Sequence, residues 1–136
     1  MRLKKIKIYN DLYDVHIMYL FGGEVASLVR YIKRVHGDEK TYSWGKPFVF
    51  GEDADTTNGY QFHINAKHGD GEMFYVWVHE LTPYLLYHET YHLAGDILYN
   101  RGIPYTYSSE EAYAYLGGWL FEKVSKKLNI KYPKRL

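Results

Sequence analysis

The residues of this chain best suited to chemistry lie in Tyr87-His88-Glu89-Thr90-Tyr91-His92-Leu93. The pattern is H-E-x-x-H. On a helix of 3.6 residues per turn, His88 and His92 point the same way, one turn above the other. Two imidazoles on one face can hold one Zn²⁺, with Zn–N about 2.0–2.1 Å. Glu89 lies about 100° round the helix from His88, outside the ligand pair but within reach of a water on the metal. The chemistry implied is metal-assisted hydrolysis with two ligands and one general base. Given the histidine and glutamate content, the pattern arises by chance roughly 0.02 times in such a chain, so a pair of core histidines is the weaker reading. His79-Glu80 begins alike, but Pro83 stands at its closing position.

A catalytic zinc takes three protein ligands and a water. A histidine six residues after His92 is excluded, because Leu98 stands there even though Gly95 occupies the glycine of that longer pattern. The other source is a glutamate opening a second helix, and Ser108-Ser109-Glu110-Glu111-Ala112 has that form. Glu111 is nineteen residues after His92. This spacing and the Glu-Ala step resemble the thermolysin-type, or gluzincin, arrangement. The run from His88 to Leu120 is also similar to small zincin-like metallopeptidases encoded by phages and prophages, in which a Ser-Glu-Glu-Ala-aromatic-Ala-Tyr stretch follows the H-E-x-x-H helix. The resemblance covers about thirty-three residues, and upstream of them only the order of elements. It implies His88, His92 and Glu111 as zinc ligands, Glu89 as catalytic base, and a peptide or protein as substrate. It also implies that a hairpin edge strand ahead of the helix aligns the substrate backbone. One departure stands out: Tyr115 occupies the position of a supporting aspartate in thermolysin.

Two alternatives attach to this assignment. With Ser108 as N-cap, Ser108 and Glu111 would form an S-x-x-E capping box, leaving Glu110 freer to bind metal. The donor to the oxyanion is open among Tyr91, Tyr105, Tyr107 and Tyr115, which lie near the motif in sequence.

The chain has 136 residues, which suits one domain with a real core, and 46% hydrophobic and 24% charged residues, which suits a globular protein. Sixteen tyrosines help bring the aromatic content to 18%. Tyrosine suits half-buried faces and contact surfaces. No cysteine is present, which excludes disulfides and thiolate zinc fingers and fits a cytoplasmic protein, in the host cytoplasm if phage-encoded. A net charge of +1 gives no overall field for nucleic acid or membrane. Basic residues gather at the ends (Arg2 to Lys7, Lys123 to Arg135), so nucleic acid stays a secondary partner. Neither a signal peptide nor a run of eighteen apolar residues is visible.

The elements that must position the site follow from periodicity. Lys5–Tyr9 and Asp14–Leu20 read as strands, and Glu24–Val35 as an amphipathic helix ended by Gly37, with His36 capping it or on the surface. Gly51–Asp55 is acidic but lacks the spacing of a calcium loop. Gly59–Ala66 and Met73–Val78 read as a hairpin turning at Gly69–Gly71, with His63, His68 and His79 on its surface. Thr82 caps the central helix, Pro83 opens it, and Gly102 ends it. The last helix spans about Ser109–Leu128 with a stripe of Leu116, Trp119, Leu120, Val124 and Leu128, and Gly118 permits close approach of the two site helices. The expected architecture is α+β, of order β-β-α-β-β-α-α, a zincin-like domain with a small sheet backing two site helices. The expected function is zinc-dependent peptide hydrolysis. The alternatives are a zinc-containing binding protein on the same scaffold and a metal-free interaction domain.

Overall fold

The computed structural model describes residues 3–36, 42–43, 46–47, 59–64 and 72–130. Its elements are β1 (Lys4–Asn10), β2 (Val15–Phe21), α1 (Val25–His36), β3 (Tyr42–Ser43), β4 (Lys46–Pro47), β5 (Gly59–Ile64), β6 (Met73–Val78), α2 (Pro83–Asn100) and α3 (Glu110–Lys127). A 3₁₀ turn, Tyr107–Ser109, leads into α3. The architecture is α+β, and the expected order of main elements holds, with the small β3–β4 pair added. The expected turn at Gly69–Gly71, the acidic Gly51–Asp55 stretch, Gly37 and His68 lie outside the described residues.

The main sheet has the order β1-β2-β6-β5. The outer pairs are antiparallel and the central β2–β6 pair is parallel. Strand β6 is buried on both faces from Phe74 to Val78, and β2 from Tyr19 to Phe21, as their apolar runs require; earlier in β2, His16 is exposed. Residues of opposite parity feed two cores. Ile17, Tyr19, Phe74, Val76 and Val78 meet α2 and α3 on one face. Leu20, Tyr75, Trp77, Phe62 and Ile64 meet α1 on the other.

Helix α2 is held at both ends. Thr82 accepts a hydrogen bond from the Leu85 amide at 3.1 Å, with Pro83 at the first position, where a missing N–H costs nothing. At the other end Gly102 adopts φ +80°, and the Ile103 and Gly102 amides donate to the carbonyls of Leu98 and Tyr99 at 2.9 and 3.0 Å. This is a Schellman ending, which needs a residue with no Cβ penalty at positive φ. Arg101 then ties the helix to the β1–β2 turn through the carbonyls of Tyr13 and Asp14, and to Glu72 at 2.6 Å. Midway along, the buried hydroxyls of Tyr19 and Thr90 hydrogen-bond at 2.8 Å, pinning α2 to β2 beside Glu89.

Four local expectations are corrected. His36 is buried and pairs with the Tyr75 hydroxyl at 2.6 Å, because the end of α1 turns its ring onto the sheet. His63 is also buried, stacked on Phe74 with its Nε2 3.1 Å from the Glu72 carboxylate, since it faces the α2 side of the sheet. His79 is half-buried, its Nδ1–H donating to the Gly23 carbonyl at 2.6 Å. Finally, Gly117 faces the other helix: a Cβ there would lie 3.9 Å from Ala94, whereas a Cβ on Gly118 would meet open space.

Candidate active site

His88 and His92 leave α2 on its exposed side, and their Nε2 atoms converge to 3.2 Å. Two nitrogens bound at about 2.05 Å to a tetrahedral centre stand roughly 3.3 Å apart. The observed separation therefore suits two donors on one cation as well as it suits an imidazole–imidazole hydrogen bond. Partial burial and the neighbouring His88 hold the His92 pKa below its ordinary value, favouring the neutral ring that binds metal.

Glu89, about 100° round the helix from His88, lies against the sheet at Gly59 and is 8% exposed. Burial raises its pKa above the ordinary carboxylate value, an effect the nearby His88 opposes. No hydrogen bond or ion pair holds its carboxylate among the described residues. Its neighbour is Gly59, the first residue of edge strand β5. A Cβ on Gly59 would come within 3.1 Å of Glu89 Cγ, 3.2 Å of its Oε1 and 3.1 Å of the Trp77 carbonyl. The absence of a side chain at 59 thus lets the carboxylate lie against the backbone of an edge strand.

Glu111 sits in the first turn of α3, exposed, without a hydrogen bond or ion pair among the described residues. The Ser108–Glu111 capping box does not form. Thr106 instead makes a reciprocal box with Ser109, which closes the 3₁₀ turn and shifts the start of α3 to Glu110. Glu111 is thereby freed from a capping role. Among the described residues no three His, Asp or Glu side chains are grouped to hold a metal, so the structure brings the two histidines together without a third donor. It is Glu110, one position earlier, that faces the cleft between α2 and α3.

Two tyrosine rings flank the pair: that of Tyr91 lies 6.1 Å from His92, and that of Tyr84, on the preceding turn of α2, lies 5.7 Å from His88. Tyr107 is 94% exposed on the 3₁₀ turn and Tyr115 is exposed on α3; neither ring stacks on a site histidine. Tyr91, Tyr105 and Tyr113 form a wall shared by two clefts. Tyr113 donates to the Ile103 carbonyl at 2.8 Å and packs edge-on against Tyr105 at 4.9 Å. One cleft, of about 460 Å³, lies between α2 and α3. The other, of about 360 Å³, runs past His92 to Gln61 of β5 and Asp96.

Asp96 and Tyr113 were not singled out by sequence reasoning. Asp96 follows His92 by four residues, as His92 follows His88, so the helical signal for it was present. Its carboxyl is buried, and desolvation pushes its pKa up to about 6, with Glu72 adding to the rise and the Asn100 amide opposing it. The place of Tyr113 depends on how α3 packs on α2, for which the sequence carries no signal.

No family model, no curated protein and no solved structure matches this chain. No helix among the described residues is long and apolar enough to cross a membrane.

Proposed function

We propose that this protein is a zinc-dependent metallopeptidase in which Glu89 is the general base. The observation that carries the reading is the convergence of the His88 and His92 Nε2 atoms, one residue from a buried glutamate of raised pKa that packs against Gly59 of β5. His88 and His92 would hold the zinc, with Glu111 as third ligand, as the likeness to small phage zincins implies, and Glu110 as the alternative. When bound, the metal supplies Lewis-acid polarisation of the scissile carbonyl and lowers the pKa of water. Glu89 takes the proton of the attacking water and delivers it to the leaving amine nitrogen. A carboxylate whose pKa is raised toward the working pH suits both transfers. Strand β5, last in the sheet order, would carry the substrate as an added strand, with Tyr91, whose ring lies 6.1 Å from that of His92, the candidate donor to the developing oxyanion. The reading places the enzyme in the cytoplasm.

The incomplete donor set among the described residues favours a second reading, a peptide-binding protein on the same scaffold that does not cleave. Glu89→Gln separates the two. For a peptidase, the variant keeps its zinc and loses hydrolysis of a quenched-fluorescent peptide mixture by a factor of at least about 100. Parent protein loaded with zinc that cleaves nothing in that mixture leaves the binding reading standing.

A further inference from the structure

The cleft between α2 and α3 has a composition that the hydrolytic chemistry does not use. Five aromatic rings line it: Tyr87 and Tyr91 from α2, Tyr105 from the connection, and Tyr113 and Phe121 from α3. Tyr87 and Phe121 meet edge-on across it, with ring centres 5.9 Å apart. Glu110 is the one charged residue among its described lining residues. Gly117 and Gly118 form part of the wall, and at Gly118 an added Cβ would meet nothing within 4 Å, so the glycines leave this space open. At about 460 Å³ the cleft is within the range of sites that take a ligand or a large side chain. Tyr87 and Tyr91 flank His88 and Glu89 in the same helical turns, so an occupant would sit beside the candidate reaction centre.

The chemistry of the walls narrows the occupant. A purely apolar side chain would match the rings but would cover Glu110 without pairing it, which costs free energy. An acidic side chain would oppose Glu110 directly. A long aliphatic stem ending in a cation answers both demands. The stem packs on the rings, the cation faces π-systems that attract it, and the head reaches the carboxylate. Glu110 at the start of α3 is also favoured there by the helix dipole, which alone would imply no ligand; the aromatic cleft it faces is the independent observation.

We propose that this cleft is a specificity pocket for a lysine or arginine side chain of the peptide substrate, with Glu110 as the residue that sets the preference. The inference rests on the peptidase reading for the word substrate, but the pocket itself is tested by binding. The test uses the full chain with zinc present and fluorescein-labelled alanine-rich octapeptides that differ at one position: lysine, arginine, norleucine or glutamate. Anisotropy titrations should show lysine and arginine peptides binding about tenfold tighter than the norleucine peptide, equivalent to about 1.4 kcal/mol, and the glutamate peptide binding weakest. Glu110→Gln should bring the lysine-to-norleucine ratio to about one. Gly118→Leu, which grows into open space, should weaken lysine and arginine peptides most while the thermal melt stays near that of the parent. Equal affinity for lysine and norleucine peptides overturns the proposal, as does an unchanged ratio in Glu110→Gln. Loss of zinc from Glu110→Gln also overturns it, because Glu110 would then belong to the metal. Basic preference in binding without hydrolysis of any peptide upholds the pocket and removes the peptidase reading. Hydrolysis without basic preference does the reverse.

Discussion

Asp96 offers the most direct test of the electrostatics beside His92. The residue is 6% exposed, and its pKa is pushed up from 3.8 to about 6, chiefly by burial, with the Asn100 amide opposing and Glu72 contributing. The folded protein therefore binds this proton more tightly than the unfolded chain. Linkage gives the sign: the stabilising contribution is fully present below pH 3.8 and is lost as the pH rises through about 6. At about 1.4 kcal/mol per pKa unit, the gap is worth roughly 3 kcal/mol as an upper figure. Asp96→Asn removes the charge and keeps an oxygen that can accept from Asn100 Nδ2, now at 3.1 Å. In the presence of EDTA, the variant should be more stable than the parent by about 1–3 kcal/mol at pH 8 and nearly equal to it at pH 4. Urea unfolding of both proteins at pH 4, 6 and 8 measures this difference. A difference that stays constant across the three values refutes the reasoning, because it would show that Asp96 titrates alike in the folded and unfolded states.

Other outcomes follow from the site. His92→Ala should lower the melting temperature in zinc and abolish the further drop that EDTA causes in the parent, since a metal bound only to the folded state stabilises it by mass action; an equal EDTA effect in both proteins removes His92 as a ligand. Glu111→Gln should weaken zinc binding strongly in an isothermal titration while leaving the metal-free melt unchanged, because no capping bond depends on it; unaltered zinc affinity sinks its assignment. Gly59→Ala should cost about 1–3 kcal/mol and depress turnover, as the new Cβ meets the Trp77 carbonyl and Glu89 at 3.1 Å; a variant with parental stability and activity would show that the strand and carboxylate can part freely.

Much of the fold was legible along the chain because it is local. The strands at Lys4–Asn10 and Gly59–Ile64 follow from alternating side chains, and those at Val15–Phe21 and Met73–Val78 from short apolar runs. The bounds of α2 follow from Thr82, Pro83 and Gly102, each acting on its own turn. The same holds for the histidine pair: residues four apart on one helix are neighbours whatever surrounds them, and the Nε2 atoms do converge. Glu89, one position on, is carried about 100° round the helix for the same reason, although its burial against Gly59 comes from packing.

What depended on tertiary structure involves contacts between elements distant in sequence. His63 and His36 look polar and surface-directed in isolation, yet the sheet and α1 enclose them and supply Glu72 and Tyr75 as partners. Two adjacent glycines are equivalent by type, but only the rotation of α3 decides that Gly117 meets Ala94 and Gly118 does not. Likewise Glu110 and Glu111 are indistinguishable in composition, and the 3₁₀ turn capped by Thr106 sets which of them faces the cleft. The sequence by itself determined the helix that carries the two histidines and Glu89, because 3.6-residue periodicity is a property of the backbone. The distance and rotation between α2 and α3 were decided by side-chain packing across their interface, which no local pattern encodes.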